Sequence, residues 1–125
     1  MSEKILIADD DPETVHLLTL MLARLGYQAL VARDGTEAVN LARSELPDLI
    51  VLDVMMPGLD GFEVASNLRR HPDTATIPIL MLTAKTQEKD KALGVETGAN
   101  EYITKPFEMD DLLKKVKAYL KSSSE

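Results

Sequence analysis

Five short apolar runs, each followed by a longer segment with helical spacing, leave this chain very few folds to choose from. Lys4 to Asp9, Tyr27 to Ala32, Leu49 to Asp53, Ile79 to Thr83 and Tyr102 to Thr104 read as strands. Three of them are almost uniformly apolar, as strands covered on both faces of a parallel sheet are. Asp11-Pro12-Glu13 marks a helix start, with a carboxylate to accept from free N–H groups and a proline where no N–H is needed. Val15, Leu18, Leu22 and Leu25 give that helix its apolar stripe, and Gly26 stops it. Asp34-Gly35-Thr36 opens a second helix carrying Ala38, Val39 and Leu41, and the turn from Pro57 to Gly61 leads into a third carrying Phe62, Val64, Ala65 and Leu68. A fourth is predicted over Gln87 to Val95. The last begins near Glu108, with Leu112, Leu113, Val116 and Leu120 at helical spacing and Lys114, Lys115 and Lys117 toward its C-terminal half.

Strict alternation of strand and helix predicts right-handed crossovers and a parallel sheet with helices on both faces. At 125 residues there is chain for five βα units, not for an eight-unit barrel. The expected fold is therefore α/β, a doubly wound five-stranded parallel sheet of the (βα)5, flavodoxin-like class. One domain is expected over 1–121, with 122–125 a disordered tail or the start of a linker.

Composition narrows the chemistry. The chain has no cysteine, which excludes disulfides, thiolate metal ligands and thiol nucleophiles. No run approaches membrane-spanning length, and the N-terminus turns acidic too early for a signal peptide, so a cytoplasmic protein with no membrane partner is expected. A net charge of −7 without clustered Lys or Arg predicts no direct nucleic-acid binding by this domain.

Ligands in open α/β sheets bind beyond the carboxyl ends of the strands. Polar residues fall there: Asp9-Asp10-Asp11 after the first strand, Asp53 after the third, Thr83 after the fourth, and Thr104-Lys105-Pro106 after the fifth. Carboxylates gathered at one edge stay ionised together only if a cation compensates; otherwise one of them takes up a proton. Oxygen ligands without His or Cys, few in number and with room for water and phosphate, suit Mg²⁺ better than Ca²⁺. With the ammonium of Lys105 and the hydroxyl of Thr83 opposite, the set makes a phosphoryl-binding site. Asp11 reads better as a helix cap, which leaves Asp9 and Asp10 for the metal. His16 and His71 read as ordinary, partly exposed histidines away from this edge.

Four segments carry a family resemblance: Ile5 to Pro12 (ILIADDDP), Leu49 to Gly61 (LIVLDVMMPGLDG), Ile79 to Ala84 (ILMLTA) and Gly98 to Phe107 (GANEYITKPF). In order and spacing the chain resembles the CheY-like receiver domains of response regulators over essentially its whole length. The resemblance implies a two-component phosphorelay protein, not an enzyme with a separate substrate. Its partner would be a sensor histidine kinase or histidine phosphotransfer protein, and it would promote its own phosphorylation and dephosphorylation. It implies Asp53 as phosphoacceptor, and Mg²⁺ held by Asp9, Asp10, Asp53 and the Met55 backbone carbonyl. Thr83 would bond a phosphoryl oxygen, Lys105 would pair with the phosphoryl group, and Tyr102 would be the aromatic that reports the state. Lys105-Pro106 would be a cis peptide. Met55 and Lys85 fall where the family tunes water access.

Three other readings compete. A Mg²⁺-dependent phosphatase with an aspartyl nucleophile would need a second acid–base carboxylate two residues on, where Met55 stands. A flavin or nucleotide module would need a glycine-rich phosphate loop, and the chain has none. A phosphorylation-independent interaction module would have no need of the intact Asp9, Asp10, Asp53, Thr83 and Lys105. Output is expected on the face of the fourth helix, fifth strand and last helix. There Glu96 and Glu101, with Lys114, Lys115 and Lys117, offer both signs for a phosphorylation-dependent homodimer.

Overall fold

The computed structural model describes residues 3–84 and 98–123. The strands are β1 (Lys4–Ala8), β2 (Gln28–Ala32), β3 (Leu49–Asp53), β4 (Ile79–Ala84) and β5 (Glu101–Lys105). The described helices are α1 (Pro12–Arg24), α2 (Gly35–Glu45), α3 (Gly61–Arg69) and the C-terminal α4 (Met109–Ser123). The helix expected over Gln87 to Val95, together with Lys85 and Glu96, lies outside the described residues.

All strand pairs are parallel, in the order β2-β1-β3-β4-β5. The uniform hydrophobicity of the inner strands follows from two separate cores. Leu6, Ala8, Ile50, Leu52, Ile79 and Met81 point to the side covered by α2 and α3, through Ala38, Val39, Ala42, Val64 and Leu68. The alternate residues Ile5, Ile7, Leu49, Val51, Leu80 and Leu82 point to the side of α1 and α4, where Leu18, Leu22, Leu112 and Val116 meet them. Full burial of each such Leu or Ile contributes about 1.5–3 kcal/mol, so the inner strands hold the two layers together.

Helix starts follow the expected chemistry. The carboxylate of Asp11 accepts from the Glu13 amide at 3.3 Å and the Thr14 hydroxyl at 2.6 Å, which confirms it as a cap. Asp34 Oδ1 accepts from the Glu37 amide at 2.8 Å. At α3, Asp60 and Glu63 form a reciprocal capping box. The stripe predicted for α1 holds at Leu18 and Leu22, but Leu25 is the C-cap and 38% exposed, because the helix ends one residue before it. Gly26 follows with φ 88, a conformation that its missing Cβ permits.

At the amino end of β4 and β5, opposite the carboxyl edge, Arg69 closes the fold. Its guanidinium donates to the carbonyls of Gly98, Thr74, Ala75 and Ile77 and to Asn100 Oδ1, at 2.8–3.3 Å. Asn100 Oδ1 also accepts from the Ile79 amide at 2.9 Å, so one side chain ties α3 to both strands. Arg69→Met strands several part-buried carbonyls, and a loss of about 2–4 kcal/mol is expected in urea denaturation.

Candidate functional site at the carboxyl edge of the sheet

From β1 the chain steps outward to β2, then returns to β3 on the other side of β1. That reversal opens a crevice beyond the carboxyl ends of β1 and β3. Asp9 follows the last residue of β1 and is 1% exposed; Asp53 is the last residue of β3 and 6% exposed. Asp10 stands at the solvent rim, and one oxygen from each of the three carboxylates lies within 4.8 Å of the others. This oxygen-only donor set, with one member open to water, fits a small hard cation of the Mg²⁺ type.

β5 delivers the counter-charge. Ala84 pairs with Lys105 across the β4–β5 ladder, and Lys105 Nζ lies 3.1 Å from Asp9 Oδ2 and 3.5 Å from Asp53 Oδ2. The other oxygens meet backbone amides: Asp9 Oδ1 accepts from Asp11 N at 2.9 Å and Asp53 Oδ1 from Met55 N at 3.3 Å. The Lys105-Pro106 peptide is cis, as the resemblance implied. The Met55 side chain is 64% exposed at the mouth.

Two buried hydroxyls lie on β4 and β5. Thr83 is fully buried and, among the described residues, its Oγ1 has no hydrogen-bond partner; the hydroxyl of Tyr102 is likewise buried without one among them. Asp53 pairs with Leu82 in the β3–β4 ladder, which puts Thr83 one residue beyond the level of Asp53. Gly61 backs Asp53 closely: a Cβ there would stand 2.7 Å from the Asp53 carbonyl oxygen, so the start of α3 must be glycine to pack at this distance.

Sequence reasoning missed the cleft next to this cluster. Pro12, Val15, His16 and Thr19, at the i, i+3, i+4, i+7 spacing of one face of α1, join Asp9, Asp10 and Arg33 around a space of about 410 Å³. That spacing, read from the Asp11 cap, was the signal that could have placed His16 near the site. His71 lines a separate depression with Asn40 and Arg43, far along the chain from the acidic edge. At the opposite end of β5, Glu101 is engaged within the chain: Lys115 Nζ is 2.9 Å from its Oε1 and the Tyr119 hydroxyl donates to its Oε2 at 2.8 Å. Those bonds hold the Glu101 carboxyl below its ordinary range. Lys114 and Lys117 remain exposed.

Burial pushes the carboxyl of Asp53 up to about 6, the charge of Asp9 adds to the push, and Lys105 opposes it. Burial also works against the ammonium of Lys105, but Asp53 and Asp9 outweigh it and raise its pKa. The raised acid binds its proton more tightly in the folded chain than in the unfolded one. Its contribution to stability is therefore present at low pH and is lost as the pH rises from about 4 through about 6. In metal-free buffer, Asp53→Asn should remove that decline and make the protein more stable at pH 7 by about 2 kcal/mol, read from urea midpoints across pH 4–7.5.

The description "response regulator receiver domain" matches residues 5–117 as a family. The chain is 51% identical over 123 residues to the alkaline phosphatase synthesis transcriptional regulatory protein PhoP of Bacillus subtilis, covering 98% of this chain and 50% of PhoP. It is 44% identical over 117 residues to protein PilH of Pseudomonas aeruginosa, covering 94% of this chain and 97% of PilH. It thus spans about half the length of one relative and nearly all of the other. Among solved structures, the receiver domain of the sensor histidine kinase PA1611 of Pseudomonas aeruginosa, which has a magnesium ion coordinated in its active site cleft, superposes with a TM-score of 0.87 at 29% identity. That match covers 96% of this chain and 98% of the other. With its sheet order and its buried acidic crevice, the chain belongs to the response regulator receiver domains, the signalling modules of two-component systems that receive phosphoryl groups from histidine kinases.

Proposed function

We propose that Asp53 accepts a phosphoryl group from a partner's phosphohistidine, with Mg²⁺ held by Asp9, Asp10, Asp53 and the Met55 carbonyl. The observation that carries this reading is the convergence of the Asp9 and Asp53 Oδ2 atoms on the ammonium of Lys105 at a water-accessible edge. In transfer, an Asp53 oxygen forms a bond to phosphorus while the phosphorus–nitrogen bond to the donor imidazole breaks, and the imidazole leaves with a proton. The bound metal supplies neutralisation of the phosphoryl oxygens. Lys105 pairs with the same group from the β5 side, and the Thr83 hydroxyl donates to one of its oxygens. Hydrolysis reverses the acceptor's role: water attacks phosphorus and the Asp53 carboxylate departs, with the exposed Met55 side chain at the water's approach.

The unpartnered Thr83 Oγ1 supports its part in this reading, because a phosphoryl oxygen would satisfy a buried donor. Movement of Thr83 toward that oxygen alters the packing around Tyr102. The change is read out along β5 and the neighbouring helices, by a changed partner or by pairing with a second copy. With Lys115 bonded to Glu101, Lys114 and Lys117 stand exposed on α4 for such a contact. The setting is the cytoplasm, where kinase domains and their phosphoryl donors meet.

With acetyl phosphate and Mg²⁺, intact-mass measurement should show one phosphoryl group added to the wild type and none to Asp53→Asn; equal labelling of both sinks the assignment. Asp10→Ala should weaken Mg²⁺ binding by about tenfold or more in a calorimetric titration, since one ligand charge is removed. Thr83→Ala should still be labelled but lose the NMR shift changes at Tyr102 that beryllofluoride induces in the wild type.

A further inference from the structure

Resting on the reading of the Met55 carbonyl as a ligand of the divalent cation, the geometry points to Gly35, at the start of α2, as a positioning residue for that site: it is the surface against which the loop carrying Met55 is set. That loop runs from the end of β3 to the start of α3, and both of its ends are fixed. Val54 N donates to Leu82 O at 3.0 Å, and Gly61 N donates to Val54 O at 2.9 Å, so a single bond closes the loop on itself. Asp60 is held in the capping box of α3. Any displacement must be taken up by residues 55–59, and among these Pro57 has its φ locked by its ring. The Met55 side chain, 64% exposed, gives its own backbone little to pack against.

Among the described residues, the backbone–backbone bond that ties this span to another element is the one from Gly35 N to Pro57 O, at 3.3 Å. The first amides of a helix have no partner within it, so α2 gives one of its free donors to the loop. Gly35 is buried, and a Cβ added to it would overlap the Leu59 carbonyl oxygen and stand 2.7 Å from the Leu59 carbonyl carbon. Those are backbone atoms, which no change of rotamer can clear. A side chain at position 35 therefore pushes the loop off α2. Gly61, packed against the backbone of Asp53 and Val54, holds the start of α3 in place, so the torsions between Met55 and Leu59 absorb the shift. The Met55 carbonyl, two residues from Asp53 and two from Pro57, turns with them.

Calorimetric titration of the full chain with MgCl₂, in wild type, Gly35→Ala and Ala42→Gly, tests this. Ala42→Gly is the control: Ala42 is fully buried, about two turns along α2 from Gly35, and glycine there weakens the helix without entering the loop. Gly35→Ala should bind Mg²⁺ about tenfold more weakly or worse, the loss expected when a group that orients a metal ligand is disturbed, while Ala42→Gly should bind like wild type despite a lower urea midpoint. NMR of the metal-free proteins gives a second readout, in which the Met55 and Leu59 amides should shift in Gly35→Ala and stay in place in Ala42→Gly. If Gly35→Ala does not fold, hydrogen exchange in wild type carries the test. Mg²⁺ should slow exchange at the Gly35 amide, because the metal and the Gly35–Pro57 bond favour the same loop, and leave the Glu37 amide, bonded to Asp34, unchanged. Wild-type affinity in Gly35→Ala, equal losses in both variants, or equal slowing at both amides overturns the positioning role and leaves the cation site standing. Absence of Mg²⁺ binding in wild type overturns the cation site itself, and the inference with it.

Discussion

Two buried carboxylates held side by side set the terms for this molecule. Asp9 and Asp53 come together because β1 and β3 are neighbours in a parallel sheet, so their carboxyl ends point the same way. An antiparallel pairing would send them to opposite edges. The backbone that creates the repulsion also supplies part of the remedy, since each carboxylate accepts an amide two residues further along its own loop. Lys105 supplies the rest from β5, two strands away from β3. The site is thus assembled from strand ends that only the complete sheet brings into register.

That dependence explains where the molecule is most rigidly built. β3, in the middle of the sheet, is buried at every position, and the start of α3 packs so closely behind Asp53 that Gly61 leaves no room for a methyl group. The amino edge is secured by different means. Arg69 makes five hydrogen bonds to neutral acceptors there, and Asn100 is held by Arg69, Ile79 and Tyr119 together. One edge of the sheet is stabilised by shared polar contacts and left open; the other is locked.

Much of this was legible in the sequence, for reasons that differ by element. The inner strands announce themselves because both faces must be apolar, and the Asp caps at residues 11 and 34 follow from the hydrogen bonds a helix start lacks. The acidic edge was legible because strand ends in a parallel sheet share a direction. Three features were not. Leu25 fits the stripe of α1 by spacing, yet as the C-cap just before Gly26 it falls off the buried face, although the stop at Gly26 was itself legible. The clasp by Arg69 joins residues up to 31 positions apart in the chain, and a lone arginine in a polar helix end carries no sign of it. The pairing of Glu101 with Lys115 depends on the register of α4 over β5, so charges that look free for a partner in the sequence turn out to be spent at home.

The two orphaned hydroxyls give the remaining step. A buried hydroxyl left without a partner costs about 1–3 kcal/mol, and among the described residues Thr83 and Tyr102 both lack one, within two residues of register along β4 and β5. If Asp53 carries a phosphoryl group as proposed, an oxygen of that group that satisfies Thr83 would release one of these costs, and that release would bound how far phosphorylation could shift an equilibrium through this residue. Thr83 pairs with Thr104 and Met81 with Tyr102 in the same ladder, so a displacement of Thr83 would meet β5 first. Its far end, at Glu101, is fastened to α4 through Lys115 and Tyr119. A strand with one end at the buried carboxylates and the other tied to the C-terminal helix would confine the proposed response to the side chains between them. Tyr102 is the aromatic among those.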